Sequence, residues 1–189
     1  MIFDKEIFLL LNSLAKIPIF VTVAGLVANE YFVPVAFSLI LFYLWITPGK
    51  YNKQTVLLVA GSVGLVNLFV KLINLAYWRP RPFEEMVVNL VYYRPTDSSF
   101  PSNASSVAFA IAAAVWWFNP KLGWWLLALS AVYGLSRVIV GVHYPTDVLA
   151  GALLGVGTSL LLSRLKRPLE WATETLVSIL KYCKLEPIP

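Results

Sequence analysis

Long apolar runs dominate this sequence and limit the folds that it can adopt. The clearest of them cover residues 31–47, 55–78, 104–118, 122–142 and 147–165. A helix needs about 20 apolar residues to cross a bilayer, so runs of 15 to 24 residues cross it or nearly cross it. Hydrophobic residues make up 59% of the chain and charged residues 13%, which excludes an ordinary soluble domain. The sequence therefore predicts a single all-α domain over residues 1–189, a polytopic membrane bundle of about five to six transmembrane helices.

The N-terminal residues differ from the runs that follow them. Residues 3–15 place apolar side chains on one helical face and polar ones elsewhere, which predicts an amphipathic helix lying at the membrane interface. Residues 17–28 are apolar but short, and Asn29 and Glu30 separate them from the run at 31–47. The two runs therefore form either one broken span or a half-span followed by a full span.

The loops between the apolar runs divide into two groups by membrane side. Those at 48–54 and 119–121 and the segment after 164 lie on one side, and those at 79–103 and 143–146 lie on the other. The first group is rich in lysine and arginine, so the positive-inside rule makes its side cytoplasmic. We therefore expect a multi-pass protein of the plasma or inner cell membrane, with the second group of loops facing the extracytoplasmic side.

Two further patterns predict how helices meet. The turn at 119–121 has tryptophans on both sides, as expected for a tight helical hairpin near the interface. Small residues recur at helical spacing, as Gly151 and Gly155 and as Ala110 and Ala114. Small side chains allow close helix contact in lipid. These residues are explained equally well as small apolar residues of a helix with no role in packing.

The net charge of +5 does not indicate a nucleic-acid partner. Most basic residues lie in short loops beside apolar runs, where topology and anionic lipid explain them. The single cysteine, Cys183, excludes an intrachain disulfide and a site with several thiolate ligands. We therefore expect membrane lipids as partners and no nucleic acid, and the oligomeric state stays open.

The run at 55–78 contains Lys71 and is followed by a repeated Arg-Pro sequence at 79–82. The prolines end the helix and favour extended backbone before them. Arg79 fits an ordinary helix flank as well as a ligand contact. Lys71 lies deeper in the apolar run, which favours a function over a side chain that only reaches for the interface.

Residues 100–106 open the next apolar run with small hydroxyl and amide side chains, among them Ser102 and Asn103. They supply an N-cap and free backbone N–H groups, and the positive end of a helix dipole favours an anion. By itself such a segment is more often only a cap.

His143 is the only histidine of the chain and lies at the end of the run at 122–142. Ser136 and His143 are seven residues apart, so we expect both on one helical face, with Arg137 beside it. Asp147, in the first turn of the next helix, is near enough to accept a hydrogen bond from one imidazole nitrogen, which fixes the tautomer and supports the imidazolium. A lone histidine is usually structural, but an arginine and an aspartate beside it at a membrane surface favour a function.

Together these segments predict a site for a phosphate group. Cations, a hydroxyl group and helix N-terminal amides bind the anion, and His143 is available as a nucleophile. One histidine and one nearby aspartate are too few ligands for a metal, so we expect neither a metal nor another cofactor.

The sequence resembles the type 2 phosphatidic acid phosphatase superfamily, whose signature consists of the motifs Lys-x6-Arg-Pro, Pro-Ser-Gly-His and Ser-Arg-x5-His-x3-Asp. The similar segments are residues 71–80, 101–104 and 136–147. The resemblance implies that polar groups from all three motifs hold the phosphate oxygens, namely Lys71, Arg79, Ser102, Asn103 and Arg137. It also implies that His143 attacks phosphorus to give a phosphohistidine, which water then hydrolyses, and that Asp147 orients His143.

The family's second histidine, its general acid, should stand where this chain has Ala104. General acid–base assistance contributes about 10² to 10⁴ in rate, so activity is expected to be reduced or abolished. Ala104 is either an engineered inactivating change or a natural divergence in which water or another side chain supplies the proton. Loss of the acid should harm a monoester more than a diphosphate, whose leaving group is already a stable phosphate anion.

Within the superfamily, the chain is most similar to bacterial undecaprenyl diphosphate phosphatases, in its short length, its N-terminal amphipathic helix and its Arg-Pro-Arg-Pro-Phe sequence at 79–83. The expected substrate is therefore a lipid phosphate, with undecaprenyl diphosphate first. Phosphatidylglycerophosphate and phosphatidate phosphatases carry the same motifs and are alternatives. A catalytically silent protein that binds or translocates lipid phosphates is the alternative of another class.

Overall fold

The computed structural model describes residues 2–49, 51–91 and 93–182. Its helices follow one another as α1 (Ile2–Ser13), α2 (Pro18–Ala28), α3 (Phe32–Ile46), α4 (Asn52–Ala76), α5 (Pro82–Glu85), α6 (Asn103–Phe118), α7 (Pro120–Ile139), α8 (Pro145–Ser163) and α9 (Lys166–Tyr182). A short 3₁₀ turn at Leu14–Lys16 joins α1 to α2. The described residues contain no strand, so the prediction of an all-α fold is confirmed. Cys183 lies outside them.

The predicted apolar runs form helices within a few residues of the expected bounds. Three helices, α4, α7 and α8, are long and apolar enough to cross a membrane. Helices α3 and α6 are shorter and apolar, and α1 and α2 form a pair, bent by 110°, that qualifies as one broken span. The chain is therefore a membrane protein, and the number of crossings, about five to six by sequence, stays a prediction.

The predicted apolar face of helix α1, which includes Phe3, is exposed, and the polar side chain of Asn12 is buried beside Phe8. The buried face of α1 packs on α7 and α8, a contact that the sequence did not predict. Asn12 Nδ2 donates to the Ile139 carbonyl oxygen at 2.8 Å, which satisfies a carbonyl group at the end of α7. The N-terminal helix is thus attached to the segment that carries His143.

Helix α6 lies at the centre of the bundle and packs against α4, α7 and α8. A Cβ atom added to Gly151 of α8 would lie 2.6 Å from the Ser102 carbonyl oxygen. One added to Gly155 would lie 2.3 Å from the Ser106 carbonyl oxygen and 2.8 Å from the Ala110 nitrogen. The predicted close contact of these glycines is confirmed, and it presses α8 against the first turns of α6.

A tight turn joins α6 to α7, as the flanking tryptophans predicted. Asn119 caps α7, since its Oδ1 accepts from the Leu122 N–H at 3.1 Å, and Pro120 occupies the first turn. Gly123 allows α7 to approach the backbone of Trp116. Because the two helices run in opposite directions from this turn, the beginning of α6 and the end of α7 meet at the far end of the bundle.

Candidate active site

His143 lies in the turn between α7 and α8 and not on a helix. Helix α7 ends at Ile139, and Gly141 has a φ of +91°, a conformation that glycine adopts at little cost. The prediction that Ser136 and His143 share one helical face is therefore wrong, because the chain leaves the helix between them. Ser136 instead donates its hydroxyl to the Tyr133 carbonyl oxygen within α7.

The His143 imidazole is held in one tautomer. Its Nδ1 lies 2.9 Å from the Ser99 carbonyl oxygen, which can only accept, so Nδ1 carries the proton. Its Nε2 lies 3.3 Å from Nη1 of Arg81, which can only donate, so Nε2 keeps its lone pair. Burial of His143, which is 2% exposed, lowers its pKa to about 4, aided by the positive charges of Arg81 and Arg137 and opposed by Asp147. At neutral pH the ring is therefore an uncharged base.

Asp147 is fully buried and supports the imidazole through Ser99. Its Oδ2 accepts from the Ser99 hydroxyl at 2.5 Å and from the Tyr144 N–H at 2.8 Å, while Oδ1 pairs with Arg79 at 2.6 Å. The distance from Oδ2 to Nδ1 of His143 is 3.7 Å, too long for a hydrogen bond. The direct bond predicted from the sequence is thus replaced by a contact through Ser99, which binds both groups.

A cavity of about 430 Å³ borders His143. Its lining includes His143, Arg81, Arg137, Asn103 and Ala104, together with the carboxylates Glu30 and Asp97. The two arginines are buried, at 3% and 4% exposure. Arg81 Nη1 donates to the Val142 carbonyl oxygen at 2.9 Å, and Arg137 Nη1 donates to that of Ala28 at 2.8 Å. Two guanidinium groups fixed beside an imidazole with a free Nε2 suit a phosphate group.

Apolar side chains of α3 and α6 also line the cavity. They are Val33, Pro34, Phe37, Val107, Ala108 and Ile111. The cavity therefore offers guanidinium groups to an anionic group and apolar side chains to hydrocarbon.

Arg79 does not line this cavity, although the sequence assigned it to the phosphate. Its guanidinium pairs with Asp4 Oδ2 and Asp147 Oδ1, each at 2.6 Å. Its Cζ also lies 4.1 Å from the centroid of the Tyr144 ring, within cation–π distance. The Arg-Pro sequence occurs twice, and the structure brings the second copy, Arg81, to the cavity.

Lys71 lies on a second cavity, of about 500 Å³. The two cavities adjoin, because Asp97 and Asn103 line both of them. Lys71 is therefore near the His143 cavity without lining it. Seven residues separate Lys71 from Arg79, one more than in the family motif.

Ser102 caps helix α6 and is fully buried. Its Oγ accepts from the Ser105 N–H, and its own N–H donates to the Asp147 carbonyl oxygen at 3.0 Å. The hydroxyl that the sequence assigned to phosphate thus serves as a helix cap. Asn103 and Ala104, the next two residues, do line the cavity.

Three residues at the site were not predicted from the sequence: Arg81, Ser99 and Asp4. The doubled Arg-Pro sequence was a signal for Arg81. Ser99 acts partly through its backbone carbonyl group, which no side-chain pattern reveals. Asp4 lies far from the motifs along the chain, and nothing in its own helix indicates the contact with Arg79.

Known proteins resemble this chain in sequence and in fold. The undecaprenyl-diphosphatase BcrC of Bacillus subtilis strain 168 is 37% identical over 129 residues, which cover 68% of this chain and 66% of that relative. The crystal structure of Aquifex aeolicus LpxE matches with a TM-score of 0.65 at 27% identity, over 82% of this chain and 92% of that one. The transmembrane PAP2-type phosphatidylglycerolphosphate phosphatase from Bacillus subtilis matches with a TM-score of 0.55 at 20% identity, over 88% and 96%, a likeness of fold alone.

The match to BcrC spans just under two thirds of that relative's length. The sequence model of the PAP2 superfamily matches residues 55–171, which is more than half of the chain. This range includes the cavity residues Arg81, Asn103, Ala104, Arg137 and His143. The chain therefore belongs to the PAP2 superfamily.

Proposed function

We propose that this chain is a membrane lipid phosphatase that transfers phosphate to His143 and favours lipid diphosphates, with undecaprenyl diphosphate as the first choice. One observation carries this proposal: an uncharged imidazole, fixed at Nδ1, keeps its free Nε2 beside Arg81 at a cavity lined by two arginines and by apolar side chains of α3 and α6. The 37% identical relative BcrC is an undecaprenyl-diphosphatase, which agrees with this choice.

In the first step, Nε2 of His143 attacks the terminal phosphorus, a P–N bond forms, and the P–O bond to the leaving group breaks. Arg81 and Arg137 hold the phosphate oxygens and offset the negative charge on them. Asp147, through Ser99, stabilises the positive charge that the ring acquires. In the second step, water attacks the phosphohistidine and releases phosphate, and Nε2 regains its lone pair.

Residues beside this reaction centre bind the rest of the substrate head group. Lys71 and Asn103 border the adjoining cavity and are available to the second phosphate of a diphosphate. The apolar side chains that line the first cavity contact the beginning of the lipid chain.

Ala104 occupies the position of the family's general acid, and this favours a substrate whose leaving group needs no proton. A phosphate monoester releases an alkoxide, which is a strong base, whereas a lipid diphosphate releases a lipid monophosphate that is stable as an anion. We expect the missing acid to slow monoesters more than diphosphates, within the factor of about 10² to 10⁴ that acid–base assistance supplies.

We further propose that the site faces the extracytoplasmic side of the cell membrane. The loops at 79–103 and 143–146 form the site, and the loops rich in lysine and arginine lie at the other ends of the helices. In a chain whose single native cysteine is replaced by serine, a membrane-impermeant thiol reagent should label Val87→Cys in intact cells but not Lys121→Cys. The reverse labelling would contradict this orientation.

A second candidate function is a catalytically silent protein that binds or translocates lipid phosphates. Ala104 favours this candidate, because the chain has no histidine at the position of the family's general acid. The single tautomer of His143 counts against it, since a protein that only binds has no need of a free Nε2. Phosphatidylglycerophosphate and phosphatidate remain alternative substrates for the same chemistry.

A phosphate-release panel tests the proposal. Wild type, Ala104→His and His143→Ala are compared on undecaprenyl diphosphate, phosphatidylglycerophosphate and phosphatidate in mixed micelles. We expect wild type to act fastest on the diphosphate, Ala104→His to gain most on the two monoesters, and His143→Ala to release no phosphate. A radiolabelled phosphohistidine should be trapped in wild type and be absent from His143→Ala.

Two outcomes of this panel would contradict parts of the proposal. If wild type releases no phosphate and traps no phosphohistidine, the silent lipid-phosphate binder is the better description. If Ala104→His gains no activity on any of the three lipids, position 104 is not the place of a missing general acid.

A further inference from the structure

Asp4 is a buried carboxylate far from the motifs along the chain. It lies in α1, is 8% exposed, and falls outside the residues 55–171 matched by the superfamily. Its Oδ2 accepts from Arg79 Nη2 and from the Thr146 hydroxyl, each at 2.6 Å. Its Oδ1 accepts from the Thr146 N–H at 3.1 Å. Both oxygens of Asp4 therefore bind groups that adjoin Asp147.

Arg79 connects Asp4 to the residues around the nucleophile. Its Nη2 donates to Asp4, while its Nη1 donates to Asp147 Oδ1 at 2.6 Å. Asp147 accepts the Ser99 hydroxyl, and the Ser99 carbonyl oxygen accepts from Nδ1 of His143. Hydrogen bonds, several of them charge-assisted, thus link the N-terminal helix to Ser99, and the backbone of the same serine binds the imidazole.

We propose that Asp4 is a positioning residue for phosphoryl transfer: it holds Arg79, and thereby Asp147, in the geometry that keeps Nε2 of His143 free. The kinetic part of this inference rests on the proposed phosphatase activity. Without Asp4, the Arg79 guanidinium loses its partner at Nη2 and keeps the contacts of Nη1 with Asp147 Oδ1 and the Thr146 hydroxyl, at 2.6 and 2.8 Å. Its pairing with Asp147 is then less firmly oriented. The imidazole then has a less well defined acceptor for its Nδ1 proton.

The attachment of α1 to the bundle does not depend on Asp4 alone. The Phe8 ring packs edge-on against Tyr144, with 5.5 Å between the ring centroids, and Asn12 Nδ2 binds the Ile139 carbonyl oxygen. These contacts attach α1 to the turn that carries the nucleophile. Removing the charge of Asp4 should therefore disturb the site more than the fold.

Asp4→Asn tests the inference, with Glu6→Gln as the matched control. Both variants remove one negative charge from α1, but Glu6 is exposed. In the full chain in mixed micelles, we expect Asp4→Asn to lower kcat for undecaprenyl diphosphate about tenfold or more, as when other groups that orient a functional histidine are removed. KM should stay within about twofold, because the cavity arginines are unchanged. Glu6→Gln should match wild type.

A double substitution tests whether Asp4 acts through Arg79. In an Arg79→Met background, Asp4→Asn should have no further effect on kcat, because the link between Asp4 and Asp147 is already broken. Independent, multiplicative losses in the two variants would overturn the inference.

The tautomer of His143 supplies a readout that does not need activity. His143 is the only histidine, so its imidazole ¹⁵N signals need no further assignment. Wild type and Glu6→Gln should show the Nδ1-protonated form alone, and Asp4→Asn should show a mixture of tautomers. A purely structural role would lower the thermal stability of Asp4→Asn and leave the tautomer unchanged.

These measurements separate the failure of the inference from that of the proposed function. If Asp4→Asn keeps both the kcat and the tautomer of Glu6→Gln, Asp4 is not a positioning residue. If wild type hydrolyses no lipid phosphate, the proposed function fails, and the tautomer comparison alone decides the role of Asp4. If Asp4→Asn does not fold, Arg79→Met breaks the same link, and a single tautomer in that variant would equally overturn the inference.

Discussion

Substitutions of the two arginines in the Arg-Pro-Arg-Pro sequence should change different kinetic constants: Arg81→Met should raise KM, and Arg79→Met should lower kcat. Arg81 lines the cavity, and its Nη1 lies 3.3 Å from Nε2 of His143. Both terminal nitrogens of Arg79 are occupied by the carboxylates of Asp4 and Asp147. Under the proposed function, Arg81→Met therefore removes a phosphate ligand, whereas Arg79→Met removes a support of Asp147.

The magnitude of the Arg81 effect follows from its burial. Arg81 is 3% exposed, and truncating one partner of a buried charge pair costs about 2–5 kcal/mol. Its other partner, Asp97, has a side chain 61% exposed, so the loss of that ion pair adds little. We expect Arg81→Met to lower kcat/KM roughly 10²- to 10³-fold, which corresponds to about 3 to 4 kcal/mol. Most of this loss should appear as a higher KM. Arg79→Met should lower kcat with KM nearly unchanged.

Initial rates of phosphate release from undecaprenyl diphosphate, measured over a range of substrate mole fractions, give both constants. Product inhibition by inorganic phosphate reports anion binding directly, and its Ki should rise in Arg81→Met only. Arg81→Lys should recover part of the loss, since it restores the charge without the planar fork of donors. A larger rise in KM and Ki for Arg79→Met than for Arg81→Met would refute the assignment of Arg81 to the phosphate.

Two further predictions concern protonation and packing. The pKa of His143 is lowered to about 4 from its ordinary 6.5, so the ¹⁵N titration of the folded protein should show a neutral ring down to about pH 5. The unfolded imidazole binds a proton below pH 6.5, whereas the folded one does so only below about pH 4. The free energy of unfolding should therefore fall as the pH is lowered across this window, by at most about 3 kcal/mol. A titration midpoint near 6.5 would contradict this prediction. Gly155→Val, whose Cβ would lie 2.3 Å from the Ser106 carbonyl oxygen, should lower stability by about 1–3 kcal/mol in thermal unfolding. Gly157→Val, with no atom within 4 Å of its Cβ, is the matched control, and equal losses in both would argue against the contact of α8 with α6.

Hydropathy located the helices because a helix that crosses lipid needs continuous apolar sequence, and prolines at 120 and 145 fix where α7 and α8 begin. It misplaced the end of α7, since Val140 and Val142 continue the apolar run beyond Ile139. Both valines are buried in the turn. A sequence does not distinguish an apolar residue that is buried in a turn from one that belongs to a membrane-spanning helix. The left-handed conformation of Gly141 has no hydropathy signal.

The sequence identified His143 and Arg137, which line the cavity, but it selected Arg79, whereas the structure brings Arg81 to the cavity. Which arginine lines the cavity depends on how the backbone runs after α4, which contacts between distant segments determine. The Ser99 N–H donates to the Arg79 carbonyl oxygen at 2.9 Å, and Arg81 Nε donates to the Asp97 carbonyl oxygen at 3.0 Å. Both contacts use backbone carbonyl groups, which every residue has, so no residue pattern encodes them.

The close contact of α6 with α8 has a consequence for how the substrate range of such a protein can change. The Ser102 N–H donates to the Asp147 carbonyl oxygen at 3.0 Å, and Gly151 closes on the same turn of α6. Backbone atoms, and not side chains, therefore fix the distance between position 104 and His143. Under the proposed function, a single substitution at position 104 adds or removes a proton donor without moving His143, so the preference between monoester and diphosphate substrates can change in one mutational step.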